Sequence, residues 1–190
     1  HGSQRILPGA QPASVQEARI AAARGEWEPF QVVLGARGAK IERVSADMAA
    51  LEGPGYKITA DNIRLYREHC VYVRSAGYRS DACPGLYPDA LLPFIDPYTG
   101  TPIRPRGSDD TPAGAKFCAA PFDLCGGAQE VLGVDVFVPR DAKAGEYRGA
   151  LTVRGRGIAA VTVPVILTVW DFELPAAPTL LSEFGGFDHN

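Results

Sequence analysis

The sequence predicts an all-β protein, an antiparallel β-sandwich of the immunoglobulin-like or jelly-roll-like type with one long loop excursion rich in Pro and Cys. Three observations support this prediction. Apolar residues alternate over long runs in the last third of the chain, as in strands with one buried face. Gly (21) and Pro (16) punctuate the 190 residues at short intervals. The connections between the predicted strands are tight, which favours antiparallel pairing.

The first half of the chain contains four predicted strands. The Ala-rich segment 19–24 is too short for a stable helix and is interpreted as a strand. Segment 27–34 is the second strand, and its Pro29 marks a start or a sheet edge. Residues 41–48 form the third strand. Residues 63–74 form the fourth, which is rich in aromatic and β-branched residues and is expected to bend midway.

The last third contains three predicted strands, at 131–138, 147–153 and 161–174. Between the second and third of these, residues 155–160 match the dinucleotide-binding pattern GxGxxA. That pattern requires a helix after the glycines, whereas a strand follows here, so we interpret the segment as a hairpin turn. Trp170, at the end of the final alternating run, is expected to lie in the core.

Residues 75–129 form the predicted excursion, which holds half of the prolines and three of the four cysteines. Loops longer than roughly 12–15 residues are usually functional or disordered, and the aromatic residues here argue against disorder. In the segment 85–93, Asp89 after Tyr-Pro is interpreted as closing a local Asx turn. The alternative is that this segment is a rigid loop that reaches a neighbouring domain or a ligand.

The four cysteines, Cys70, Cys83, Cys118 and Cys125, fit two disulfides and an oxidising compartment. Three connectivities are possible, and we favour Cys70–Cys83 with Cys118–Cys125 because each pair closes a short loop. The alternative is four buried free thiols in a cytosolic protein. The sequence contains no CxxC pair, so a zinc site is not indicated.

Composition and motifs exclude several function classes. A net charge of −3 disfavours a nucleic-acid partner, and no apolar run approaches the roughly 18 residues of a membrane span. His69 and Cys70 point to opposite faces of a strand, so they cannot form a nucleophilic pair. No metal-ligand spacing is readable, and no cofactor is predicted. Aromatic residues that could stack on sugar rings are Trp27, Tyr66, Tyr72, Tyr87 and Tyr98.

Five segments recur in an order that resembles one family. They are 24–33 (RGEWEPFQVV), 62–68 (NIRLYRE), 85–93 (GLYPDALLP), 138–153 (VPRDAKAGEYRGALTV) and 170–175 (WDFELP). The chain is similar to the N-terminal β-sandwich domain of glycoside hydrolase family 123 and related glycoside-hydrolase-like proteins. The resemblance covers most of residues 18–186 and depends on the order of the segments.

Residues 1–15 are interpreted from the sequence as a tag scar and an N-terminal arm. The sandwich is expected at 16–175, and the resemblance implies that the linker at 176–190 leads toward a C-terminal (β/α)₈ barrel. In that family the catalytic carboxylates lie on the barrel and act on N-acetylhexosaminides by a substrate-assisted mechanism. No catalytic residue therefore carries over to this chain. The implied interdomain or ligand-facing residues are Tyr87, Pro88, Asp89, Leu92, Phe172, Leu174 and Phe184.

We accordingly expect a non-catalytic accessory domain of a secreted or periplasmic glycoside-hydrolase-like protein. Its partner would be its own C-terminal barrel, whose cleft it helps to shape. The alternative is an autonomous carbohydrate-binding module with a glycan as its partner, which requires two or three exposed aromatic residues in a plane or groove. The accessory domain instead requires an exposed apolar patch around Leu174, Leu180, Leu181 and Phe184.

Overall fold

The computed structural model describes residues 17–75, 84–102 and 119–177. Within these ranges the chain forms eleven strands and one turn of 3₁₀ helix at Ala60–Asn62. The strands are β1 (Ala18–Arg24), β2 (Trp27–Gly35), β3 (Ile41–Met48), β4 (Leu51–Gly53), β5 (Tyr56–Ile58), β6 (Ile63–Val73), β7 (Gly85–Pro93), β8 (Phe122–Leu124), β9 (Gln129–Phe137), β10 (Gly145–Arg156) and β11 (Val161–Glu173).

The strands form two sheets, which confirms the predicted all-β, sandwich-like fold. The larger sheet has the order β1-β11-β10-β3-β8, with β4 paired to β10 and β5 paired to β4. The smaller, four-stranded sheet has the order β2-β9-β6-β7. One pair departs from the antiparallel prediction: β1 runs parallel to β11, with Ala18 opposite Val165 and Ala22 opposite Val169. The argument from tight connections applies only to consecutive strands, and these two are distant in sequence.

A single hydrophobic core lies between the inner faces of the two sheets. Alternate residues of β11, namely Val165, Leu167 and Val169, enter it from the larger sheet. Val134 and Val136 of β9 enter it from the smaller sheet. The largest fully buried side chains are Tyr147, Leu51, Ile58, Leu132, Leu151 and Leu167. Burial of such apolar side chains supplies most of the folding free energy.

A corner between β1 and β2 joins the two sheets. Gly25 turns the chain with φ of +82°, a left-handed conformation that glycine adopts without strain. Its N–H donates to the Val138 carbonyl at 2.7 Å, and the Val138 N–H donates to the Glu26 carbonyl at 2.9 Å. The Glu26 carboxylate also accepts the Ala23 N–H at 2.7 Å. The chain thereby passes from one sheet to the other through satisfied backbone groups.

The seven predicted strands are confirmed with small shifts at their ends, and residues 155–160 form the predicted hairpin between β10 and β11. The predicted excursion is wrong in one respect, because it contains β7 and β8. The segment 85–93 is therefore an edge strand paired to β6, not a loop. Its two prolines concealed the strand pattern, yet proline is tolerated where no neighbour needs the N–H.

Tyr147 anchors the start of β10 in the core. Its side chain is completely buried, and its hydroxyl donates to the Lys143 carbonyl at 2.8 Å and accepts the Lys143 N–H at 3.1 Å. Gly53 makes room for the ring, since a Cβ there would lie 2.4 Å from a ring carbon. The turn before β10 is thus tied to the core by one side chain, in the manner of a tyrosine corner.

Tyr147→Phe is expected to lower the free energy of unfolding by about 1 to 2 kcal/mol, because two backbone groups lose their partner. Urea denaturation of the purified chain measures this change. The matched control is Tyr56→Phe, which removes the exposed hydrogen bond from Tyr56 to Asp141. That variant should lose less than about 0.5 kcal/mol. Equal losses in the two variants would contradict the anchoring role of Tyr147.

Candidate functional site

Two exposed aromatic rings lie at the end of β11 and form what we call the exit face, Trp170 and Phe172. The alternation of β11 places them on the outer side of the larger sheet, opposite in parity to Val169. They are 45% and 50% exposed, and their rings stack with centroids 5.7 Å apart. The prediction that Trp170 belongs to the core is therefore wrong. Successive residues of a strand point to opposite faces, so Trp170 points away from the core that its neighbour Val169 enters.

Four residues around the exit face form what we call the exit clamp: Arg24, Arg140, Glu173 and Leu174. The Arg140 guanidinium donates to the Glu173 carboxylate and, at 2.7 Å, to the Leu174 carbonyl. The Leu174 N–H donates to the Arg24 carbonyl at 2.9 Å. Because β1 and Arg140 both hold the end of β11, the chain leaves the sandwich in a fixed direction toward Pro175.

A second surface, the polar sheet face, is the outer side of the four-stranded sheet. The registers of β2 with β9 and of β9 with β6 place opposing residues on one side of the sheet. On this side Gln31 lies opposite Gly133, which in turn lies opposite Tyr66. The residues that define the polar sheet face are Trp27, Gln31, Arg64, Tyr66, Glu68 and Asp135.

Glu68 is the most unusual residue of the polar sheet face. It is a carboxylate with only 6% exposure, the sole buried charged or polar residue among those the structure describes. The Gln31 Nε2 donates to its two oxygens at 2.8 and 3.0 Å. Gly133 of β9 lies beside this contact, and a Cβ there would stand at an ordinary van der Waals distance of 3.5 Å from Glu68 Oε1. The carboxylate and amide therefore join β6 to β2 over the intervening strand.

Asp135 is a second carboxylate of the same face, on β9 opposite Arg64 of β6. Burial raises the pKa of its carboxyl above the usual value, and this effect exceeds the lowering by the Arg64 charge and by the Tyr66 hydrogen bond. The Arg64 guanidinium carbon also lies 4.3 Å from the centroid of the Trp27 ring. Charge, hydrogen-bonding groups and aromatic surface thus meet on one sheet face.

The residues predicted to face another domain or a ligand lie on strands of different sheets. Tyr87 and Leu92 are half-buried on β7, the edge strand of the four-stranded sheet. Pro88 and Asp89 belong to the same strand. The remaining residues are Phe172, which is in the exit face, Leu174, which is half-buried in the exit clamp, and Phe184, which lies outside the described residues.

The other predicted features lie partly inside and partly outside the described residues. Of the five candidate sugar-stacking aromatics, Trp27, Tyr72 and Tyr98 are exposed, and Tyr98 most of all at 96%. Leu180 and Leu181 of the predicted apolar patch lie outside the described residues. So do Cys83 and Cys118, the predicted disulfide partners of Cys70 and Cys125; no disulfide occurs among the cysteines that are described. The disulfide pairing stays a prediction.

The described ranges contain neither a candidate metal cluster nor a candidate membrane-spanning helix. Within 17–75, 84–102 and 119–177, no three His, Cys, Asp or Glu side chains are grouped so that they could hold a metal ion. No helix in that part of the chain has the length and apolarity needed to cross a bilayer.

Gln31, Glu68 and Asp135 were not predicted as site residues from the sequence. The alternation in β6 contained part of the signal, because Arg64, Tyr66 and Glu68 share one parity while Ile63 and Leu65 share the other. This pattern predicts the side on which Glu68 lies. It does not predict Gln31 as its partner, since that contact depends on the strand order of the sheet.

Comparison with known proteins supports the fold. No family model matches the chain, and no curated protein matches it. Among solved structures it is similar to a family 123 glycoside hydrolase from Clostridium perfringens, studied for the hydrolysis of glycolipid glycans. The TM-score is 0.63 at 14% sequence identity, over 84% of this chain and 24% of that chain. The resemblance predicted from the sequence is thus confirmed as a likeness of fold to part of such an enzyme.

Asp135→Asn is expected to stabilise the folded chain at pH 7. A carboxyl whose pKa is raised on folding destabilises the folded state at any pH above that pKa, and this penalty disappears below its unfolded pKa of about 3.9. The gain should be less than about 1 kcal/mol, since Asp135 is only half-buried and solvent screens its charge. Thermal unfolding of variant and wild type from pH 7 down to acid measures the difference, which should shrink as the pH falls.

The control for Asp135→Asn is Asp123→Asn, which should act in the opposite direction. The hydrogen bond from Lys40 and that from the Arg43 backbone lower the pKa of the Asp123 carboxyl. Its contribution to stability is present at neutral pH and is lost as the pH falls through the lowered pKa. The Asn variant should therefore be less stable than wild type at pH 7. The same sign in both variants would contradict the assignment of burial as the dominant influence on Asp135.

Proposed function

We propose that this chain is a non-catalytic accessory domain of a secreted or periplasmic glycoside-hydrolase-like protein. The observation that carries the proposal is the fold likeness to a family 123 glycoside hydrolase, which includes 84% of this chain but 24% of that enzyme. In this proposal the remaining part of the longer protein supplies the catalysis. That part is a hexosaminidase-like (β/α)₈ barrel, and the sandwich helps to shape its cleft.

The exit face is the proposed contact with that barrel. Trp170 and Phe172 are large apolar groups whose burial stabilises an interface, and aromatic residues are enriched in such contacts. They lie immediately before Leu174 and Pro175, where the chain leaves the last strand. The exit clamp fixes the direction of departure, so a following domain can dock with little loss of conformational entropy.

Oxidising conditions are the second part of the proposal. The even number of cysteines supports two disulfides, Cys70–Cys83 and Cys118–Cys125, and these require export from the cytosol. Mass spectrometry of the protein, isolated without reductant and digested with a protease, identifies the linked peptides directly.

A second candidate function is glycan binding by the sandwich itself. The polar sheet face favours it, because carboxylate, amide, guanidinium and aromatic groups share one side of the four-stranded sheet, where Trp27, Gln31 and Arg64 are exposed. This surface lies on the opposite sheet from the exit face, so the two functions are compatible.

The test of the accessory role compares this chain with the longer polypeptide of which we propose it is a part. The isolated chain should not hydrolyse aryl N-acetylhexosaminides, whereas the longer protein should. In the longer protein the double variant Trp170→Ser, Phe172→Ser should make the segment around Pro175 more sensitive to proteases. It should also separate the thermal unfolding of the two domains into two transitions.

The matched control is Tyr98→Ser, which removes a highly exposed aromatic ring from the turn after β7, the edge strand of the smaller sheet. It should leave both proteolysis and unfolding of the longer protein unchanged. In the isolated chain the double variant should also leave the unfolding temperature nearly unchanged, because neither ring belongs to the core. Turnover by the isolated chain, or a longer protein indifferent to the double variant, would overturn the proposal.

A further inference from the structure

We propose that the polar sheet face binds a neutral saccharide, with Gln31 and Asp135 as direct hydrogen-bonding residues and Glu68 as a positioning residue. This inference rests on the second candidate function, glycan binding by the sandwich, and assigns its site and ligand class. It concerns the opposite sheet from the exit face and does not depend on docking there. It rests on the fixed orientation of the Gln31 amide and on the half-buried carboxylate of Asp135 near it. It also rests on the prolines at both edges of this sheet, which discourage a peptide from adding a strand.

The amide of Gln31 is held in one orientation by a buried carboxylate. Its Nε2 is committed to both oxygens of Glu68, so its carbonyl oxygen is directed away from that carboxylate. The Gln31 side chain is exposed, whereas Glu68 is almost completely buried. A fixed, exposed acceptor loses little side-chain entropy on binding, which is the advantage of a preorganised site.

Asp135 supplies the second acceptor within reach of the same ligand. Its residue position is diagonal to Gln31, because Gln31 pairs with Gly133 and Asp135 lies two residues further along β9. Such diagonal neighbours on one sheet face are about 7–8 Å apart, roughly the width of one sugar ring and its hydroxyls. Arg64 flanks Asp135 and offers guanidinium donors, while the Tyr66 hydroxyl is hydrogen-bonded to the Asp135 carboxyl. Trp27 adds apolar surface under Arg64.

The charges on this face favour a neutral polyhydroxyl ligand over an ion. Glu68 and Asp135 repel anions, and Arg64 disfavours a cation at Asp135. Sugar hydroxyls both donate and accept, so they can satisfy carboxylate and amide oxygens and the guanidinium at once. The C–H faces of a sugar ring can contact the aromatic rings at the same time.

A peptide that adds a strand to this sheet is disfavoured by its two edges. Edge strand β2 contains Pro29, and edge strand β7 contains Pro88 and Pro93. Proline at an edge removes N–H donors and discourages pairing with another chain. The face of the sheet, not its edge, is therefore the surface that can receive a ligand.

The experiment titrates the isotope-labelled chain with soluble oligosaccharides and follows backbone amide and side-chain amide resonances. The panel contains lactose, N-acetylhexosamine-terminated trisaccharides, cello-oligosaccharides and xylo-oligosaccharides, each to about 10 mM, since weak single-site binding has a Kd near the millimolar range. At least one saccharide should give saturable shifts of the Gln31 side-chain amide and of the backbone around Gly133 and Asp135.

Variants of the contact residues distinguish this site from other surfaces. Gln31→Ala and Asp135→Ala should each weaken binding at least roughly tenfold, the equivalent of one lost hydrogen bond at about 1.4 kcal/mol. Glu68→Gln preserves the size of the side chain but replaces one of the two acceptor oxygens with an NH₂ donor. It should reduce affinity less than Gln31→Ala does, while changing the resonance of the Gln31 amide in the absence of ligand.

Two controls separate this proposal from the accessory role. Asp47→Asn alters the outer face of the larger sheet, and Trp170→Ser alters the exit face; both should leave saccharide affinity unchanged. The proposal is overturned if no saccharide of the panel binds, if the shifts map to Trp170 and Phe172, or if binding survives Gln31→Ala and Asp135→Ala. None of these outcomes bears on hydrolysis by the longer protein or on docking at the exit face.

Discussion

The parallel pairing of β1 with β11 joins the first described strand to the last one, and the placement of both candidate surfaces depends on it. β1 belongs to the larger sheet, and the corner at Gly25 and Glu26 carries the chain directly into β2 of the smaller sheet. The exit clamp ties Leu174 to Arg24 immediately before that corner. The end of β11 and the start of β2 are therefore held by one continuous set of backbone hydrogen bonds, which leaves little freedom between the two sheets.

The sequence contained enough information for the class of fold and for most of the strands. Alternation identified β9, β10 and β11 because alternate residues of each strand are apolar and belong to the core between the sheets. It could not identify β7, where two prolines interrupt the pattern. It also assigned Trp170 to the core on residue type, although the parity of Val169 places Trp170 outside. The parallel partner of β1 was beyond reach, because pairing between strands so distant in sequence leaves no local pattern.

The polar sheet face could be predicted only in part for a related reason. Gln31 and Glu68 are 37 residues apart and lie on strands separated by β9. Their contact requires both the strand order and the registers of the sheet. Each residue alone resembles an ordinary polar position on a solvent-facing strand. What distinguishes them is burial of a carboxylate on the outer side of a sheet, and such burial is visible only in three dimensions.

The two surfaces differ in chemistry in a way that matches different partners. The exit face is apolar and lies beside a fixed departure point, which suits a permanent neighbour of large area. The polar sheet face carries directed acceptors and donors, which suits a small ligand that binds and leaves.

The direction of β1 relative to β11 has a mechanical consequence. The beginning of β1 and the end of β11 lie at opposite ends of a parallel pair, so tension between them acts along the strands. All the hydrogen bonds of the pair then share the load in shear, whereas an antiparallel pair pulled at the same termini would separate bond by bond. The ties from Arg140 and Leu174 add to this resistance at the end that bears the load. The sandwich can therefore transmit a pulling force between its two ends while its core stays closed.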